Sequence, residues 1–325
     1  MKNLQNTIIL ILLIGLVAFT IYDKMQTKPQ PIVEQIRYET ELLNIEMPEK
    51  MDFCGETVPL KELAIRERLD RDLHSNSFFH SNTILIMKRA NRWFPRMRKI
   101  LKEEGIPDDF IYLPVVESAL TNVISPAGAT GFWQFMRGTG KEMGLTINGE
   151  VDERYDPIKS TRAACKYLKQ AYKRFGDWTL VAASYNMGMS GLGRRISKQK
   201  ADSYYDLHLN SETARYVFRI LAFKEILSNP DKYKFKIKSQ YLYPEEKVKY
   251  VTVTESIRDL AQFAKNQGIS YNALKFYNPW LRNTELKIKK GKSYNIAIPT
   301  QITEAEEADM KEGKKDLEEV KKDSL

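Results

Sequence analysis

The chain of 325 residues has only two cysteines, Cys54 and Cys165, and three histidines. So few cysteines exclude a scaffold held together by disulfides, and neither cysteine has another ligand residue at metal-binding spacing. The two could pair in an oxidising compartment, yet Cys165 lies on an alanine-rich helical face and is more simply a small buried residue. His74 and His80 are six residues apart and do not share one helical face, which argues against a metal site.

The sequence also lacks an apolar run of the length that usually crosses a bilayer. Its long apolar run, residues 8–22, is uncharged and follows a short head with Lys2, but its 15 residues fall short of the roughly 20 that a spanning helix needs. The run predicts a membrane-targeting segment within residues 1–24. An N-terminal anchor is favoured, and a cleaved signal peptide is the open alternative. Residues 25–52, which contain three prolines, are interpreted as a tether.

An excess of acidic residues is absent, because 51 basic and 42 acidic residues give a net charge of +9. Residues 301–325 carry nine acids and five lysines and are predicted to be a charged, solvated tail. The rest of the chain therefore has a charge of +13, which indicates a polyanionic partner: nucleic acid, anionic lipid or a cell-wall polymer. No Walker or RNA-binding signature accompanies the basic residues near Arg194, and the membrane-targeting segment argues against nucleic acid.

Alternating runs of β-branched residues are missing between residues 53 and 230, where apolar residues instead recur at helical spacing. This part is therefore predicted to be a helical domain. Helix boundaries are marked by Gly105 with Pro107, by Asp156-Pro157 and by Gly176-Asp177. Ten of the 16 glycines lie between residues 128 and 193, where the backbone must turn sharply or approach a ligand closely. A functional site is expected in that region.

One carboxylate of this domain stands in an apolar setting. Glu117 is flanked by two valines and a leucine, and partial burial would raise its pKa so that it stays protonated near neutral pH, as a general acid requires. A surface or salt-bridged glutamate on a helix is the plainer alternative. No second acid has a comparable setting, since Asp108 and Asp109 lie beside Pro107 at a predicted helix start and are interpreted as N-caps.

Two further segments add groups suited to a sugar-binding groove. Residues 125–136 lead from a turn of small residues into an aromatic stretch with Gln134, whose amide can donate and accept hydrogen bonds. Residues 182–188 end a predicted helix with Tyr185, Asn186 and Gly188 together. Glycine permits close approach of the backbone, and a concave site with a few placed polar groups is typical of ligand binding.

Together these motifs resemble the catalytic domain of the soluble lytic transglycosylases, a lysozyme-like family, and most closely its membrane-bound murein transglycosylases of the D type. The resemblance rests on five segments in order: Glu117-Ser118, Gly128-Ala129-x-Gly131 with Gln134-Phe135-Met136, Asp152-x-Arg154-x-Asp156-Pro157, Tyr185-Asn186-x-Gly188 and Glu212-Thr213-x-x-Tyr216-Val217. It implies a mainly α protein with a lysozyme-like transglycosylase domain over residues 53–230, whose motifs lie within residues 105–230.

The same resemblance implies a peptidoglycan lytic transglycosylase that cleaves the MurNAc-GlcNAc bond without water and leaves 1,6-anhydro-MurNAc ends, in cell-wall remodelling. Glu117 would be the single catalytic acid and base, Tyr185 and Tyr216 would orient Glu117 or the acetamido group of the sugar, and no metal or organic cofactor would be needed. Substrate contacts would come from Ser118, Ser125, Gln134, Met136, Tyr185, Asn186 and Tyr216. A non-catalytic murein-binding envelope scaffold that keeps the same groove is the alternative.

A small module is predicted near the C-terminus. Residues 231–249 are rich in tyrosine and charge and are interpreted as a linker, and residues 250–300 have a β-α-α-β pattern, with Ile257 in the first helical stripe and Ser270 capping the second helix. The pattern is similar to a LysM module, which binds glycans that contain N-acetylglucosamine. Thr254-Glu255-Ser256 replace the usual Gly-Asp-Thr of that family, so a merely structural role stays open.

The resemblances narrow the polyanionic partner to the cell wall, because the peptide carboxylates of murein make it polyanionic. The expected partners are peptidoglycan glycan strands and, through the N-terminus, the membrane, with no nucleic acid. The expected location is the cell envelope on its periplasmic side, with secretion if the N-terminal segment is cleaved.

Overall fold

The computed structural model describes residues 13, 15–20, 22 and 45–300. Contacts divide the chain into two units, residues 1–47 and residues 48–325. In the first unit, residues 15–20 are helical and expose apolar side chains such as Leu16 and Phe19. The described part of the chain contains no helix that combines the length and the apolar character needed to cross a membrane. The predicted segment 1–24 and tether lie largely, and the predicted tail wholly, outside the described residues.

Helices dominate the second unit, which confirms the predicted mainly α class. The helices are α1 (Leu63–Phe78), α2 (His80–Glu103), α3 (Leu113–Ser118), α4 (Arg137–Glu142), α5 (Pro157–Phe175), α6 (Trp178–Met187), α7 (Met189–Gln199), α8 (Ser211–Ser228), α9 (Leu260–Asn266) and α10 (Tyr271–Tyr277). The strands form two antiparallel pairs, β1 (Asp52–Phe53) with β2 (Glu56–Thr57) and β3 (Val248–Val253) with β4 (Tyr294–Pro299). The sequence does not predict the first pair, because strands of two residues carry no alternation.

Local capping chemistry fixes the helix boundaries that the sequence predicts. The Asp156 carboxylate accepts hydrogen bonds from two main-chain N–H groups of the first turn of α5, at 2.9 and 3.1 Å, and Pro157 occupies the first helical position. Gly176 ends α5 in the left-handed region with φ 68°, and the Asp177 side chain then caps α6. The predicted boundaries at these residues are confirmed.

The prediction that Asp108 and Asp109 are N-caps is wrong. Residues 108–112 form a short 3-10 helix, and no side chain caps it. Asp109 instead accepts hydrogen bonds from Lys224 Nζ at 2.8 Å and from the Cys54 main-chain N–H at 2.6 Å, while Asp108 pairs with a guanidinium on α2. Lys224 is 115 residues from Asp109, so spacing alone does not reveal this pair.

The core is built around α8, which packs against α1, α3 and α6. Its residues Val217, Phe218 and Leu221 have no exposed surface. Apolar burial on this scale is the dominant contribution to folding, at about 1.5–3 kcal/mol for each such side chain. A helix held so firmly is a rigid base for the polar groups that it carries, among them Tyr216.

The C-terminal module has the predicted β-α-α-β order. Strands β3 and β4 pair along their whole length, and the Ser270 hydroxyl accepts a hydrogen bond from the Ala273 N–H at 3.0 Å, so the predicted cap of α10 is confirmed. Ile257 lies outside α9, contrary to the predicted stripe. The helix begins only after Asp259, whose carboxylate caps it, and Ile257 forms a β-bridge with Leu286.

The segment interpreted as a linker lies against α2. Asn91 Nδ2 donates to the Tyr243 carbonyl at 3.0 Å, and Arg92 Nε donates to the Pro244 carbonyl at 3.1 Å. The Arg92 guanidinium also lies 5.0 Å from the centre of the Tyr243 ring. Arg92 also pairs with Glu246 at 3.8 Å, so a tyrosine and a charged residue of this segment are used in contacts with the helical domain.

Candidate active site

Glu117 lies in the last turn of α3, at the point where the helix stops. Ser118 ends the helix, and the two residues after it, Ala119 and Leu120, have a left-handed backbone conformation, with φ 51° and 57°. A left-handed conformation costs about 1–2 kcal/mol at a residue with a side chain, so the surrounding structure must hold it. Arg219 Nη2 donates to the Val116 carbonyl at 3.0 Å, and Arg89 Nη1 donates to the Ala119 carbonyl at 3.2 Å. Two guanidinium groups thus fix the main chain on both sides of the acid.

The environment of Glu117 keeps its carboxyl partly protonated near neutral pH. Burial raises its pKa to about 7, which confirms the raised pKa predicted from its apolar neighbours. A hydrogen bond from the Tyr216 hydroxyl to Glu117 Oε1, at 2.5 Å, and the positive charge of Arg219 lower the pKa and limit the rise, while the negative charge of Glu212 adds to it. A carboxyl with a pKa near the working pH can both give and take a proton.

The groups that tune this acid come from one face of α8. Glu212, Tyr216 and Arg219 are spaced by four and three residues, which places them one above another on a helix. The sequence motif includes Glu212 and Tyr216 but does not single out Arg219. Its spacing from Tyr216 is the signal that could have found it.

Replacing Tyr216 with phenylalanine tests this tuning. In the wild type, the Tyr216 hydrogen bond favours the ionised form of Glu117. In Tyr216→Phe this bond is absent, so we expect the pKa of Glu117 to rise and the basic limb of the kcat/KM profile to move to higher pH. The loss of positioning should lower kcat by about tenfold, the value of one hydrogen bond to a charged group. Tyr204→Phe is the control, because that hydroxyl donates to main-chain carbonyls at the start of α8 and does not contact Glu117. An unshifted profile in Tyr216→Phe would contradict the assignment.

The raised pKa of half-buried Glu117 also makes stability depend on pH. The folded protein holds the Glu117 proton up to about pH 7, whereas the unfolded chain releases it near 4.5, so the free energy of unfolding falls as the pH rises between these values. Glu117→Gln removes this loss. We expect the stability of the variant relative to the wild type to increase by at most roughly 3 kcal/mol between about pH 4 and about pH 8. Urea unfolding across this range measures the difference, and a constant difference would contradict the raised pKa.

The loop over residues 125–136 is held by its own hydrogen bonds. The Ser125 hydroxyl accepts from the Ala129 N–H at 3.0 Å and closes the small-residue turn. Gln134 has a left-handed backbone with φ 48°, and its Nε2 donates to the carbonyls of Val123 and Gly131. Met136 is 47% exposed and directly precedes α4.

The remaining predicted contact residues connect this loop and α8 to the acid. The Ser118 hydroxyl is buried and donates to the carbonyls of Pro114 and Phe132. The Tyr185 hydroxyl donates to the Trp133 carbonyl at 2.7 Å, and burial raises the pKa of Tyr185 well above its usual value. Asn186 donates from Nδ2 to Glu212 Oε1 at 3.0 Å and accepts from Thr213. Among the predicted residues, Tyr216 hydrogen-bonds the Glu117 carboxylate.

The sequence motif that contains Arg154 does not by itself indicate a role for this residue. Its guanidinium is buried, pairs with Asp152 at 2.7 Å, and donates from Nη1 to the carbonyls of Gly128 and Phe135, both at 3.1 Å. The arginine therefore holds both ends of the segment 128–135, which we call the glycine-rich loop. Within residues 13, 15–20, 22 and 45–300, no group of three or more histidine, cysteine, aspartate or glutamate side chains could hold a metal ion.

Comparison with known families decides how this arrangement is classified. Residues 97–207, which carry Glu117, the glycine-rich loop and Tyr185, match the family model described as the transglycosylase SLT domain. Residues 249–302 match the soluble lytic transglycosylase C-terminal LysM-like domain. Helix α8, with Tyr216 and Arg219, lies between the two matched regions.

The chain is homologous to membrane-bound lytic murein transglycosylase D of Escherichia coli K12, with 30% identity over 228 residues, which are 68% of this chain and 49% of the relative. A putative tributyltin chloride resistance protein of an Alteromonas species is 32% identical over 102 residues, covering 31% of this chain and 49% of that protein. The chain thus spans about half the length of the curated relatives that it matches. The solved structure of an inactive mutant of the lytic transglycosylase Slt from Pseudomonas aeruginosa aligns with 46% of this chain and 26% of its own, at 22% identity and a TM-score of 0.33.

Proposed function

We propose that the chain is a peptidoglycan lytic transglycosylase that cleaves the bond between MurNAc and GlcNAc and leaves 1,6-anhydro-MurNAc ends. The observation that carries the proposal is Glu117, a half-buried acid of the SLT domain whose pKa is about 7 and whose carboxylate accepts a hydrogen bond from the Tyr216 hydroxyl. Such an acid is half protonated at neutral pH, so one side chain can act as an acid in one step and as a base in the next.

The single acid favours help from the substrate. Hydrolytic glycosidases generally use two carboxyl groups that flank the scissile bond. Glu212 is the other carboxylate that acts on Glu117, but it is exposed and engaged by Asn186 through Oε1. It therefore lacks the buried setting of a second catalytic carboxyl.

In the proposed reaction, Glu117 donates its proton to the bridging oxygen as the glycosidic bond breaks. The carbonyl oxygen of the 2-acetamido group of MurNAc attacks the anomeric carbon and forms an oxazolinium ring. The Glu117 carboxylate then takes the proton of the 6-hydroxyl, whose oxygen displaces the acetamido oxygen from the anomeric carbon. The acid regains its proton, the 1,6-anhydro ring closes and no water is consumed. Tyr216 keeps Oε1 of Glu117 in place through both proton transfers.

We place this activity in cell-wall remodelling in the cell envelope, at the periplasmic side and with the N-terminus at the membrane. The name of the E. coli relative, a membrane-bound murein enzyme, supports this location. The positive net charge of the chain is complementary to the peptide carboxylates of murein. Glycan strands are the proposed partner of both the SLT domain and the LysM-like domain.

Digestion of purified murein sacculi with the full chain, followed by mass spectrometry of the soluble products, tests the proposal. We expect muropeptides with non-reducible 1,6-anhydro ends. Reducible ends would mean hydrolysis and would reject the transglycosylase reaction. Sacculi that bind the protein but release no product would favour the non-catalytic scaffold.

A further inference from the structure

The LysM-like module and the SLT domain share one hydrophobic core. Val151 and Tyr155, which belong to the SLT domain, lie in the same buried cluster as Leu260, Leu281 and Ile296 of the module. Val151 has no exposed surface, and Leu281 is 1% exposed. Burial this complete is expected where two elements fold against each other, and a loosely tethered binding module would leave these side chains in water.

Main-chain hydrogen bonds run across the same contact. Val151 and Leu281 form an antiparallel β-bridge, the Asp152 N–H donates to the Trp280 carbonyl at 2.9 Å, and the Arg282 N–H donates to the Glu150 carbonyl at 2.7 Å. The guanidinium of Arg282 also lies 4.1 Å from the centre of the Tyr155 ring. These bonds fix residues 150–155 in one register against the module.

Residues 150–155 in turn hold the glycine-rich loop of the active site. The Asp152 carboxylate accepts a hydrogen bond from the Arg154 guanidinium, which also donates to the carbonyls of Gly128 and Phe135 at the two ends of the loop. The Asn122 side chain just before the loop donates to the Tyr155 carbonyl at 2.9 Å. A continuous chain of packed and hydrogen-bonded groups therefore leads from the module to the loop beside Glu117.

We infer that the module is a positioning element of the active site: through residues 150–155 it fixes the glycine-rich loop that Ser118 and Tyr185 also hold. The module therefore acts on catalysis as well as on any glycan binding. The expected effect of the module on the reaction rate rests on the proposed transglycosylase function. The expected effect on structure, that the order of the glycine-rich loop depends on the module, does not.

Hydrogen exchange of the full chain measures the structural consequence. Leu281→Asp places a carboxylate in the shared core without altering the SLT domain, and we expect the amides of residues 128–135 to exchange about tenfold faster or more. Phe276→Ala, a truncation of a module side chain that is 57% exposed, is the matched control and should leave the loop unchanged. Wild-type exchange of the loop in Leu281→Asp overturns the inference. Should that variant not fold, Leu281→Ala is judged by the same criterion.

Kinetics with a soluble, peptide-free murein tetrasaccharide separate positioning from binding. For Leu281→Ala we expect kcat to fall about 10- to 100-fold, because misplacement of a catalytic loop by a distance of about 1 Å costs this much, with little change in KM. A raised KM with an unchanged kcat means that the module only binds glycan, and overturns the inference. If the wild type proves inactive on murein, the proposed function fails, and the exchange experiment still decides the inference.

Discussion

Glu117→Gln is expected to lower kcat on murein by about 1,000-fold while leaving the fold intact. The amide keeps the size and the acceptor oxygen of the carboxyl, so it can still accept a hydrogen bond from the Tyr216 hydroxyl. It has no acidic proton to give to the bridging oxygen, and it cannot take the proton of the 6-hydroxyl. Release of anhydro-muropeptides from sacculi measures the loss. Circular dichroism of the same preparation checks that the helical domain is folded.

The control for this variant is Glu142→Gln, the same exchange at an exposed glutamate at the end of α4. It changes the net charge of the protein equally, so it separates the loss of the catalytic proton from a general weakening of binding to a charged polymer. We expect it to keep wild-type activity. Substantial product release by Glu117→Gln would show that another group is the acid.

Much of the fold could be predicted because the signals are local. Asp156 and Asp177 cap helices next to them in the chain, and apolar spacing alone marks α2 and α5. The contacts that escaped prediction are long-range. Asp109 looks like a cap in the sequence because its true partner, Lys224, is 115 residues away.

The candidate site divides in the same way. Burial raises the pKa of Glu117, and the apolar residues beside it in the sequence predict that burial. Its fine tuning depends on Arg219, about a hundred residues further along, and becomes visible only when α8 packs against α3. The clamp formed by Arg154 likewise needs the fold, because its acceptors are main-chain carbonyls, which carry no sequence signal.

Gly131→Ala is expected to cost about 4 kcal/mol of stability or more, and to abolish activity, because the backbone at this glycine lies directly against the Arg154 main chain. A Cβ at Gly131 would lie 1.9 Å from the Arg154 carbonyl oxygen. The backbone there also has φ +82°, which disfavours any side chain. Arg154 cannot move away without breaking its hydrogen bonds to the carbonyls of Gly128 and Phe135. The clash and the backbone strain therefore both destabilise the variant, and together they give a loss that is large for a single substitution.

Gly128→Ala in the same loop separates the clash from the strain. Its φ is +84°, almost the same as that of Gly131, but nothing lies within 4 Å of the Cβ position. It should therefore cost only about 1–2 kcal/mol, the penalty for a left-handed alanine. Urea unfolding of the two variants gives the comparison. Equal losses would mean that the loop moves freely away from Arg154, and would contradict the clamp on which both the active site and its link to the module depend.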